Sequence, residues 1–86
     1  MQDRIIIDVR ERFEYASGHV EGAINIPPSE LMKGAPQLAN VPKDTEIILY
    51  CRSGSRSRTA IMILTQQGFT NLVNGINQDY VTQHYL

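Results

Sequence analysis

The sequence predicts an α/β domain, a parallel sheet with helices on both faces. Three observations carry that class. Ile5-Ile6-Ile7 and Ile47-Ile48-Leu49 are short, uniformly apolar runs of the kind that make strands buried on both sides. Stretches of helical period lie between such runs, the clearest from Ser55 to Gln67. Strand-like and helix-like segments alternate along the chain, the order that parallel sheets require.

Ile5 to Val9 reads as the first strand, ended by charge. Arg12 to Ala16 makes one helical turn, stopped by Ser17-Gly18. Ala23 to Ile26 is a second strand, ended by Pro27-Pro28, which cannot donate to a ladder. Ser29 is the expected N-cap of a helix reaching Gln37, against the local resistance of Gly34 and Pro36. Pro42-Lys43-Asp44 is a turn, and Glu46 to Tyr50 the next strand. In the helix that follows, Ala60, Ile63, Leu64 and Gln67 share a face, and Gly68 suits a left-handed C-terminal position. Leu72-Val73 is a brief strand and Gln78 to Tyr85 a terminal helix.

The 86 residues make one small domain, residues 1–86, with room for a single core. A net charge of −1 lacks the basic excess of a nucleic-acid binder. One cysteine excludes an internal disulfide and any multi-cysteine metal site, and His19 and His84 have no zinc-ligand spacing around them. No metal, cofactor or membrane partner is expected, and a soluble monomer is. With no export signal in the chain as it stands, the expected compartment is the cytoplasm, or the periplasm if a longer precursor carries such a signal.

The single cysteine, Cys51, follows a strand and precedes a helix, among Arg52, Arg56 and Arg58. A lone cysteine is ordinarily a small buried hydrophobe. Core positions seldom abut a run of serine, glycine and arginine, however, because those groups need water or partners. In a parallel sheet, ligands bind beyond the carboxyl ends of strands, where Cys51 lies. Gly54 gives the turn its backbone freedom, so the N–H groups from Arg52 to Ser57 can converge on one concavity. Ser53, Ser55 and Ser57 add hydroxyl donors, and Arg52 and Arg56 add charge. The helix N-terminus and the arginines are expected to bring the thiol from ~8.5 to about 6–7.

Such a loop suits nucleophilic attack by Cys51 on an anionic, tetrahedral substrate. Sulfur transfer through a persulfide and phosphate-ester hydrolysis through a phosphocysteine both meet that description. Cysteine phosphatases use C-x5-R. Here Arg56 and Arg58 give C-x4-R and C-x6-R, and Tyr50 precedes the cysteine in place of histidine. The shorter cradle favours one added sulfur over a phosphate ester. A small phosphatase or arsenate reductase is the alternative, and a non-catalytic binding module a second, disfavoured by retention of the thiol.

The loop Cys51-Arg52-Ser53-Gly54-Ser55-Arg56-Ser57 resembles the sulfurtransferase loop of the rhodanese family. Asp8-Val9-Arg10, Glu14-Tyr15 and Gly18-His19-Val20-Glu21-Gly22-Ala23-Ile24-Asn25-Ile26-Pro27 are similar to that family's N-terminal signature. The resemblance covers roughly residues 5 to 75. It implies a rhodanese-like three-layer fold with a mainly parallel sheet of about four to five strands. It also implies a thiosulfate sulfurtransferase: Cys51 takes sulfane sulfur from thiosulfate or a related donor and passes it to cyanide, a small thiol or a protein thiol. Where most family members have an extra strand and helix ahead of the Asp-Val-Arg motif, the sequence as given has only Met1 to Arg4 before its first strand, and Asn74-Gly75 with Asp79-Tyr80 replace paired glycines and tryptophan. Both departures are similar to the short, exported phage-shock-type rhodaneses.

The remaining signature residues are expected to support the site. Asp8 and Arg10 end a strand, with Arg10 in reach of Glu14; Asp8 would face the active loop. His19 is expected to bond backbone near Gly22, and Asn25 and Pro27 to shape a loop. Transfer from thiosulfate needs no proton shuttle once the thiolate exists.

Overall fold

The computed structural model describes residues 4–86. Four parallel strands, β1 (Ile5–Asp8), β2 (Ile24–Asn25), β3 (Ile47–Tyr50) and β4 (Leu72–Ile76), form one sheet in the order β2-β1-β3-β4. The helices are α1 (Arg12–Ala16), α2 (Pro28–Met32), α3 (Ser55–Gln66) and α4 (Gln78–Tyr85), with a 3₁₀ turn at Pro36–Leu38.

The two central strands are apolar on both faces because both faces are covered. Ile7, Ile47 and Leu49 pack with Leu31, Leu38, Ala60 and Leu64 on one side, and Cys51 belongs to that cluster. Ile6, Ile48 and Tyr50 pack with Val20, Ala23 and Val81 on the other. The result is the three-layer arrangement expected from the alternation of elements. Parallel register sets Asp8 beside Tyr50 at the carboxyl ends of β1 and β3, so the end of β1 borders the turn that carries Cys51.

Two elements depart from expectation. The helix expected from Ser29 to Gln37 stops at Met32, and Pro27, not Ser29, is its N-cap. Gly34 and Ala35 adopt positive φ, +99° and +49°, and the Pro36 ring then restarts the chain as a 3₁₀ turn. β4 runs three residues further than Leu72-Val73, but with an irregularity: Leu49 pairs with Asn74 and Tyr50 with Ile76, so Gly75 is bypassed. Ile76 sits at φ +70° just after this bulge. The terminal helix occurs as expected, and Asn77 caps it by accepting from the Tyr80 N–H at 2.8 Å.

Candidate active site

Cys51 emerges from the end of β3 and is followed at once by a turn into α3. Gly54 holds this turn at φ +96°, a conformation costly for any residue with a Cβ. Its amide donates to Cys51 Sγ at 3.1 Å. Ser57 Oγ lies 3.6 Å from the same sulfur. Burial pushes the Cys51 thiol up, since only 2 % of the residue is exposed. Hydrogen bonds from the Ser57 hydroxyl and from the backbone of Ser57, Ser53 and Gly54 outweigh that, bringing it down to about 7. The direction expected from sequence is therefore present, with a different main cause. The donors are the converging N–H groups and Ser57 more than the guanidinium groups.

Arg56 explains that difference. It forms a two-point ion pair with Glu14, at 2.8 Å and 3.1 Å. The Arg56 bond holds the Glu14 carboxyl down at about 2, and Glu14 in turn raises Arg56. Arg56 thus ties α1 to the start of α3 and attracts the Cys51 anion only secondarily. Arg52 is the freer cation, 75 % exposed and 4.0 Å from Glu14. Arg58 is exposed on α3 and faces a different depression, with Ser53, Ser55 and Asn74.

Asp8 and Arg10 behave as a buried unit. Arg10 closes on Asp8 with contacts of 2.7–3.1 Å and donates to the Gly18 carbonyl at 2.7 Å. Arg10 does not pair with Glu14, which is occupied by Arg56. The Asp8 bond raises Arg10. Tyr50 donates to Asp8 at 2.9 Å and accepts from the Val20 N–H at 3.0 Å. Burial pushes the Tyr50 phenol up to about 12, so it stays a donor. Asp8 is fully buried and acts through Tyr50 and Arg10, fixing the strand end that precedes Cys51. His19 is exposed, stacked on Tyr15 at 3.7 Å, with Nδ1 2.8 Å from the Tyr15 carbonyl rather than near Gly22. Asn25 donates to the carbonyls of Asp8 and Arg10, at 2.9 Å and 3.0 Å.

Above the sulfur the surface opens into a pocket of ≈ 480 Å³ lined by Arg10, Ser17, Cys51, Arg52, the α4 cap Asn77 and the first two residues of α4, Gln78 and Asp79. Both α3 and α4 begin at this site, placing two positive helix ends around it. Sequence reasoning did not single out Ser17, Asn77 or Asp79 as pocket residues, nor Asn74, which braces the loop from behind. Asn74 donates to the Gly54 carbonyl at 3.0 Å and accepts from Ser57 Oγ at 2.6 Å. The one available signal was the replacement of the family's usual glycines by Asn74-Gly75.

Residues 1–80 match the Rhodanese-like domain family. A sulfurtransferase of Allochromatium vinosum is 35% identical over 74 residues, covering 85% of this chain and 65% of that protein. The chain spans 65% or less of the length of the curated relatives it matches. Among solved structures, a rhodanese with anions from E. coli superposes with a TM-score of 0.79 at 33% identity, covering 91% of each chain. The human single-domain sulfurtransferase TSTD1 does so with 0.77 at 28% identity, covering 94% of this chain and 83% of that one. On fold, loop and family match together, the chain belongs to the rhodanese family.

Proposed function

We propose that this chain is a sulfurtransferase that carries sulfane sulfur as a persulfide on Cys51. The observation that carries the reading is the Cys51 sulfur itself, met by the Gly54 N–H at 3.1 Å and bordering an open pocket with Arg52 at its rim. The same concavity suits an additional sulfur bearing the negative charge. With thiosulfate as donor, the Cys51 thiolate attacks the outer sulfur and a new S–S bond forms. The S–S bond of thiosulfate breaks, and its electron pair leaves on sulfite. Cyanide or a thiolate then attacks the outer persulfide sulfur, and Cys51 departs as a thiolate. No proton moves in either step, in keeping with a site whose hydrogen bonds stabilise the anion.

Arg52, Ser53, Gly54, Ser55, Arg56 and Ser57 form the proposed substrate cradle, with Asp8 and Arg10 in support. Within it, Arg52 meets the donor and Arg56 holds the loop against Glu14. The loop length argues against a phosphate ester, for which one more residue before the arginine is usual. Parallel assays with thiosulfate plus cyanide and with p-nitrophenyl phosphate test the assignment. Thiocyanate formation with negligible phosphate-ester hydrolysis is expected. Efficient ester hydrolysis without thiocyanate would overturn it in favour of a phosphatase.

A further inference from the structure

Behind the sulfur, Ser57 and Asn74 share a proton in a way that bears on how the nucleophile is made. The orientation of the Asn74 amide is dictated by its neighbours. Its Nδ2 must face the Gly54 carbonyl, an acceptor, at 3.0 Å, and its Oδ1 must face the Ile76 N–H, a donor, at 3.0 Å. Ser57 Oγ lies 2.6 Å from that same Oδ1, so between these two groups only Ser57 can donate. Ser57 is fully buried and has one hydroxyl proton. Three acceptors surround it: Asn74 Oδ1 at 2.6 Å, the Gly54 carbonyl at 3.2 Å and the Cys51 sulfur at 3.6 Å.

With Cys51 protonated the network is consistent as it stands. The S–H donates to Ser57 Oγ, and Ser57 donates to Asn74. An ionised Cys51 has no proton to give and needs a donor in return. Ser57 can supply one only by turning its proton away from Asn74.

We propose that Asn74 is a positioning residue that competes with the Cys51 sulfur for the single hydroxyl proton of Ser57, holding it in the thiol form and releasing it to the anion. The bulge at Gly75 makes this possible, because it sets Asn74 and Ile76 around the loop with their polar atoms converging. Asn74 has a second, opposed action: by holding the Gly54 carbonyl it keeps the Gly54 N–H aimed at the sulfur. The other charged groups facing Cys51 are already accounted for. Asp8 matches Arg10, Glu14 holds Arg56, and Arg52 and Asp79 lie across the pocket.

The inference rests on Cys51 being the nucleophile of the proposed transfer, yet its test reads the thiol directly and needs no sulfur donor. Iodoacetamide alkylation followed against pH gives the ionisation midpoint for wild type, Asn74→Ala, Ser57→Ala and the double variant. In the Ser57→Ala background, removal of Asn74 reports only the loosening of the Gly54 turn. With Ser57 present, the same removal also frees its proton for the sulfur. The change caused by Asn74→Ala should therefore be more acidic with Ser57 than without it, by about one pH unit, the order of one hydrogen bond to a charged group. Equal changes in the two backgrounds, or the opposite order, would overturn the competition.

A measurement on the unsubstituted protein guards against variants that do not fold. In NMR spectra taken across pH, the Asn74 side-chain amide and the Ile76 N–H should move with the Cys51 midpoint, since both report on the oxygen that loses Ser57. Resonances that stay fixed through that titration would equally overturn the proposal.

Discussion

Raising the pH should stabilise this protein through Cys51 alone, by an amount the site geometry bounds. The folded thiol ionises at about 7, against 9.0 for the unperturbed group. At neutral pH about half the molecules carry the thiolate, whereas a thiol at about 8.5–9 would be roughly 1–3 % ionised. The sign follows from proton counting. Below about pH 6 both folded and unfolded chains hold the proton, and the group contributes nothing. Between the two values the unfolded chain holds more protons than the folded one, so stability rises with pH and is lost again as pH falls through the folded value. Two units correspond to about 2–3 kcal/mol, fully present only above about pH 9. Because Cys51 borders the open pocket, solvent screening makes that figure an upper bound. Urea unfolding of wild type and Cys51→Ser, in reductant, across pH 5.5 to 9.5, isolates the contribution of this group; alkylation rates over the same range give its midpoint. A stability difference that is flat or shrinks as pH rises, or an alkylation midpoint at or above about 8.5, would refute the reasoning that the loop stabilises the anion.

The arginines and the bulge supply further tests. Arg52→Ala should raise the thiosulfate KM roughly tenfold with a smaller change in kcat, the pattern of a lost binding contact. Arg56→Ala should also lower kcat, because it leaves Glu14 unpaired beside the loop, while Arg58→Ala should stay near wild type; steady-state kinetics on the three variants decides. Gly75→Ala should cost about 1–3 kcal/mol and lower Tm by roughly 5–20 °C in thermal unfolding. A methyl there would stand 2.6 Å from Val81 and 2.9 Å from Ile48, and the strain would reach α4, the wall of the pocket.

Strands β1 and β3 and helix α3 were legible because each depends on its own residues: a wholly apolar run buried on two faces, or a helical stripe closed by Gly68. The Cys51 loop was legible for a related reason, since the charge, glycine and thiol that define it are contiguous. What escaped depends on register. Asp8 meets Tyr50, and Glu14 meets Arg56, across 42 residues of sequence in each case. Those meetings follow from the parallel pairing of β1 with β3, which sets Asp8 opposite Tyr50. Local spacing made Glu14 the natural partner of Arg10, but the nearer Asp8 carboxylate, buried at the strand end, took that role. Similarly, the strand expected at Leu72-Val73 stops short of Asn74-Gly75, and only pairing with β3 carries it on as a bulged strand that braces the Cys51 turn. At α2 the misreading was of another kind: helix propensity from Ser29 onward yields to the positive φ of Gly34 and Ala35 and the ring of Pro36.

The most direct test of the central claim is the mass of the intact protein after exposure to thiosulfate. One sulfur atom, about 32 Da, should appear on wild type and be removed by cyanide or dithiothreitol, as expected for a covalent intermediate on the nucleophile. Cys51→Ser should show neither the adduct nor turnover. No adduct on the wild type across thiosulfate and several persulfide donors would contradict sulfur transfer through Cys51.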